Sequence, residues 1–95
     1  MSPRVIALLA CHNRKALTLR CLESYLRACD VAAIAPEAIL LDDASTDGTS
    51  QAVASHFGWV RIIRGDGSLH WNRGMHRAFD LALHDPGNPH YLFFL

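Results

Sequence analysis

Four short, largely apolar runs with helix-length spacers between them constrain this chain more than anything else in it. They are RVIALLA (Arg4 to Ala10), AILL (Ala38 to Leu41), WVRIIR (Trp59 to Arg64) and HYLFFL (His90 to Leu95). Runs this short and this apolar read as strands buried on both faces. Between the first two, Leu19, Leu22, Leu26 and Cys29 fall on one face of a helix expected over Lys15 to Cys29. Asn13 stands where it can cap that helix, and Pro36 closes the connection. Between the second and third, the polar stretch Asp42 to Ser50 leads into a short helix expected from about Gly48 to His56. After the third, GDGS reads as a turn. A further helix is expected from near Asn72, with Met75, Ala78, Phe79 and Ala82 on its apolar face, and DPGNP ends it. The alternation predicts an α/β fold: a three-layer sandwich around a mostly parallel sheet, with right-handed crossovers.

Composition narrows the partners. The 95 residues suffice for one small domain, and 51% apolar with 19% charged residues excludes a disordered chain. Nine basic and nine acidic side chains give zero formal charge, so nothing favours nucleic acid or an anionic membrane surface. No run approaches the roughly 20 apolar residues of a membrane span. The opening MSPRVIALLACHNRK is interrupted by polar residues too early for a signal peptide and reads as a strand. Three cysteines, Cys11, Cys21 and Cys29, make no C-x-x-C pair. That argues against a disulfide framework or a zinc cage and points to a reducing, cytoplasmic setting.

The second run ends in two adjacent aspartates, Asp42 and Asp43. Such a pair is costly at a buried strand end unless cations or hydrogen-bond donors meet it. In parallel sheets, ligands bind at the carboxyl ends of the strands. Three constellations would gather there. His12 and Asn13, after the first run, read either as a flat ring and an amide facing a ligand or as a loop residue and a helix cap. In DDASTDGT, a carboxylate suits a base N–H or ribose hydroxyls, while Asp42 also suits ordering the loop; Ser45, Thr46 and Asp47 suit capping the next helix. GDGSLHWNRGMHRAF combines glycines, an aromatic ring, arginines and a helix start, which suits a diphosphate or merely a turn and an amphipathic helix. His70 and His76 are spaced six apart, which does not put them on one helical face as metal ligands.

Taken together, VIALLACHNR, LESYL, ILLDDASTDGT and GDGSLHWNRGMHRAF followed by YLFFL resemble the start of a family 2 glycosyltransferase of the GT-A fold, in the expected order. CHNR stands for the usual Tyr-Asn-Arg-like triplet, DDAS for DDGS, and WNRGMHRA resembles a segment of rhamnosyltransferase-like members, with His76 at a usual Asn. The resemblance implies that residues 1–95 form the N-terminal, nucleotide-sugar-binding portion, a Rossmann-like half. It implies that Ala10 and His12 flank the base, His12 by stacking, with Asn13 beside them. Asp43 would recognise the base, and Asp42 would shape the loop. Gly67, Trp71, Arg73 and Gly74 would run alongside the nucleotide sugar.

The family's metal-binding acidic motif normally follows a strand like YLFFL, where this sequence stops. The chain is therefore expected to be the front of a longer inverting enzyme. By itself it would carry no catalytic residue, hold no metal and be inactive. The whole enzyme would use a divalent cation, Mn or Mg, to move a sugar from a nucleotide-diphosphate donor to a hydroxyl acceptor, in cell-envelope polysaccharide synthesis. An uncovered last strand would favour a homo-oligomer. Two other classes remain in view. A non-catalytic nucleotide-binding or interaction module would share these features. A phospho-receiver would need its acidic pair after the first strand, whereas here it follows the second.

Overall fold

A computed structural model describes residues 4–67, 80 and 91–94. The elements in order are β1 (Val5–Cys11), α1 (Lys15–Val31), β2 (Ala38–Asp43), α2 (Thr49–His56), β3 (Val60–Gly65) and β4 (Tyr91–Phe94). The four described strands are parallel, in the order β3-β2-β1-β4. The chain lays down β1, β2 and β3 in one direction and then returns to the far side of β1. Strand order therefore reverses at β1, which makes the carboxyl end of β1 the expected place for a ligand crevice.

Strand alternation divides the core between two faces. On one, Ala7, Leu9, Ala38, Leu40 and Val60 pack against Leu22, Tyr25 and Cys29 of α1, Val53 of α2, and Phe57. On the other lie Ile6, Leu8 and Ile39, with Ala10 and Ile63 beside them. Leu8, Leu22 and Leu40 are fully buried, and each contributes about 1.5–3 kcal/mol by burial. Phe57 meets Trp59 edge-on at 5.6 Å, and Tyr25 lies 5.9 Å from Trp59, closing the core beneath α1.

The expected face of α1 is turned slightly. Leu22 and Cys29 are core, Leu19 and Leu26 flank it, and Thr18 and Tyr25 are buried instead. Tyr25 enters because its hydroxyl has acceptors: it donates to the Glu37 carbonyl at 2.9 Å and lies 3.4 Å from that of Val5. Desolvation, then the neighbouring Cys29, pushes this phenol up to about 12. At the same end of the sheet, Arg4 grips Glu37 through Nε and Nη2, each at 2.9 Å. The start of β2 is thus pinned to β1 and α1 at the end remote from the loops.

The sequence predicts a further helix beginning near Asn72. Of that stretch only Asp80 is among the described residues, helical and exposed. No helix among the described residues is long and apolar enough to cross a membrane.

Candidate functional site

The carboxyl ends of β1, β2 and β3 bring the two acidic loops together. Both aspartates belong to β2 itself rather than to the loop after it. On a strand, successive side chains leave from opposite faces, so Asp42 and Asp43 do not confront each other.

Asp42 points to the helix-bearing side and is 0% exposed. Its Oδ1 accepts the Ser45 backbone N–H at 3.0 Å, and its Oδ2 accepts a short hydrogen bond from the Ser50 hydroxyl. Arg64 is its cross-strand neighbour on β3 and also donates to the Ser45 carbonyl at 3.3 Å. Burial alone would push the Asp42 carboxyl up. Hydrogen bonds from Ser45 and Ser50, with help from the Arg64 charge, outweigh it and hold the group below the ordinary aspartate range. On the other side, Cys11 pairs in register with Asp42. Desolvation, and then the Asp42 charge, pushes this thiol up to about 11, so it stays protonated and unreactive near neutral pH.

Asp43, 9% exposed, points to the other face. Its Oδ1 accepts the Gly67 backbone N–H at 2.8 Å. Gly67 sits at φ +98, a left-handed conformation that favours glycine, and a Cβ there would lie 3.6 Å from the Ala44 methyl. Ala44 itself is at φ +58, with its N–H bonded back to the Asp42 carbonyl at 3.0 Å.

The loop after β1 is stitched to the loop after β2. His12 Nδ1 donates to the Asp43 carbonyl at 2.6 Å. The Asn13 backbone N–H donates to Ser45 Oγ at 2.9 Å, and the Asn13 Oδ1 accepts the Thr46 N–H at 2.7 Å. Asn13 is therefore not the helix cap expected from its position. It sits at φ +50, facing the other loop, and Arg14 takes the N-cap position without a side-chain bond. The capping carboxylate comes from the loop after β2: Asp47 Oδ2 accepts the Lys15 N–H at 3.0 Å. Its Oδ1 also accepts the Thr49 N–H at 3.2 Å and a short bond from the Thr49 hydroxyl. Asp47 thus serves both helices, while Gly48 holds the α2 N-cap position. The hydrogen bonds from Thr49, foremost, and from Lys15 hold the Asp47 carboxyl below its ordinary range.

Of the expected site residues, Ala10, His12, Asn13, Asp42, Asp43 and Gly67 gather at this end of the sheet. Trp71, Arg73 and Gly74 lie outside the described residues, as do His70 and His76. Ser50 and Arg64, which make the Asp42 environment, were not singled out from sequence. Their partnership depends on helix placement and strand register, which leave no local pattern. Among the described residues, no three His, Cys, Asp or Glu side chains converge as a cation site. The aspartates at the strand end instead accept hydrogen bonds from the protein.

Residues 7–95 match the model of a family described as glycosyl transferase family 2. No curated protein matches the chain. Among solved structures, the fold is similar to that of the mannosyltransferase PcManGT from Pyrobaculum calidifontis, determined in complex with GDP-Man and Mn2+. The TM-score is 0.51 at 24% identity, and the match covers 87% of this chain and 24% of that one.

Proposed function

We propose, from the premise that this chain belongs to glycosyl transferase family 2 and has its GT-A fold, that it forms the nucleotide-sugar-binding portion of an enzyme transferring a sugar from a nucleotide diphosphate to a hydroxyl acceptor. The observation that carries this is the clustering of His12, Asn13, Asp43 and Gly67 at the carboxyl end of a parallel sheet, where its strand order reverses. In this reading the exposed His12 ring stacks on the base. Asp43, anchored by Gly67, accepts from the base or ribose. Asp42 holds the loop from behind and touches no ligand. Trp71, Arg73 and Gly74 extend the site along the sugar diphosphate.

In such a transfer the acceptor oxygen displaces the diphosphate directly at the anomeric carbon, inverting its configuration. A divalent cation, Mn or Mg, would supply charge neutralisation to the departing diphosphate. The described residues do not make a ligand set for it, and we assign it and the catalytic base to other residues of the whole protein. What these residues contribute is binding energy and orientation of the donor. A role in cell-envelope polysaccharide synthesis, a cytoplasmic setting and self-association along β4, an outer strand of the described sheet, belong to the same proposal.

The test is a calorimetric titration of the whole protein with uridine- and guanosine-diphosphate sugars in the presence of manganese. Asp43→Ala should abolish measurable donor binding while Cys21→Ser leaves it intact. Donor affinity unchanged by Asp43→Ala would remove this residue from the site.

A further inference from the structure

The two ends of the Asn13 amide are told apart by their neighbours. Its Oδ1 accepts from the Thr46 backbone N–H at 2.7 Å and lies 3.4 Å from the Thr46 hydroxyl. A backbone N–H only donates, so the oxygen must face Thr46. The amide nitrogen then faces His12 Nε2, at 3.3 Å. An amide NH2 only donates, so Nε2 must be the bare, accepting nitrogen of the ring. The other ring nitrogen is fixed separately. Nδ1 lies 2.6 Å from the Asp43 carbonyl oxygen, which only accepts, so Nδ1 carries the proton. Two independent partners therefore demand the same tautomer. The backbone supports the arrangement: Asn13 stands at φ +50, a conformation asparagine adopts more readily than most residues.

We propose that Asn13 is a positioning residue that locks His12 as its neutral Nδ1–H tautomer, so that the ring offers a ligand its face and no N–H donor. The ligand half of this statement rests on the nucleotide-sugar reading above; the tautomer does not. A ring held this way selects for a flat aromatic partner and is indifferent to the hydrogen-bonding edge of that partner. Discrimination between bases then falls to Asp43 and not to His12.

The experiment is a long-range proton–nitrogen correlation of the histidine rings in the uniformly 15N-labelled 95-residue chain, at about pH 8, where an ordinary imidazole is neutral. His12→Gln assigns the ring among the six histidines. The expected spectrum has the proton on Nδ1 and a bare Nε2. A proton on Nε2 in the wild-type chain overturns the proposal. Asn13→Asp keeps an acceptor for Thr46 and tolerates the same backbone conformation, but turns an acceptor toward Nε2. With Nδ1–H still held by the Asp43 carbonyl, it should bring a second proton onto Nε2, giving the doubly protonated ring; an Nε2 that stays bare in this variant shows that Asn13 does not set its state. Addition of UDP or GDP should then shift the ring carbon-bound protons of His12 without a new protected N–H. A protected Nε2–H with nucleotide overturns the face-only claim. No response to either nucleotide overturns the ligand half and the base-site reading of His12, while the tautomer result stands on its own.

Discussion

Asp42 and Asp43 leave β2 on opposite faces, which divides the cost of two neighbouring carboxylates between two environments. Asp42 has become a structural acceptor, with Ser45, Ser50 and Arg64 arranged around it. Removing it would leave a buried N–H and a buried hydroxyl without their acceptor. Asp42→Ala should therefore lower stability by about 2–3 kcal/mol, read as a shift of the urea midpoint at unchanged slope. A midpoint within error of wild type would mean that Ser45 and Ser50 find other partners. At this scale the sequence was readable in part. An acidic pair at the end of an apolar run announced which end of the sheet gathers the candidate residues. That the two would separate by face follows from strand periodicity once β2 is extended through Asp43. The cap reading of Asn13 fails because its partner, Thr46, stands in a different loop, and local capping rules know only the residues nearby.

The elements are joined by contacts that cross between them. α1 has its first N–H bonded to Asp47 of the loop before α2, so neither helix start is complete without the other loop. Its far end closes in a Schellman motif: Ile34 N–H bonds the Cys29 carbonyl at 2.8 Å and Ala33 N–H that of Asp30 at 3.2 Å. Ala33 occupies the position where glycine is usual, at φ +57. The left-handed conformation costs an alanine about 1–2 kcal/mol, partly offset by the greater freedom glycine loses on folding. Ala33→Gly should stabilise the protein by about 0.5–1 kcal/mol, measurable as a rise in thermal midpoint. A fall would mean that the Ala33 methyl makes packing contacts worth more than the strain. Among the described residues, element order and type were legible because strand runs and a helical stripe differ in period. Boundaries shifted by a residue or two where hydrogen bonds rather than side chains end an element. Tyr25, outside the Leu19-Leu22-Leu26 stripe, was missed because its burial depends on carbonyls at the other end of the sheet.

At the scale of the molecule, its charges set a window of stability. Asp42 and Asp47 are held below the ordinary aspartate range in the folded chain. Their contribution is present above the ordinary value and is lost as pH falls below about 4. Cys11 and Tyr25 are raised, to about 11 and about 12, so theirs is present below the ordinary thiol and phenol values and lost as pH climbs through the shifted ones. Urea midpoints should be flat between about pH 5 and 8 and fall on both sides, and Tyr25→Phe should soften the alkaline fall. An alkaline limb identical in that variant would exclude the Tyr25 phenol as its source. The sheet order carries a consequence in time. β1 pairs with β2 through a local crossover, but with β4 only across nearly the whole chain, Val5 lying beside Tyr91. Closing so large a loop is entropically slow, and of the described strands β4 leaves the ribosome last. The cluster of His12, Asn13, Asp43 and Gly67 carried by β1, β2 and β3 can assemble while β4 is still being synthesised, leaving the flank of β1 that pairs with β4 as a surface the nascent chain exposes.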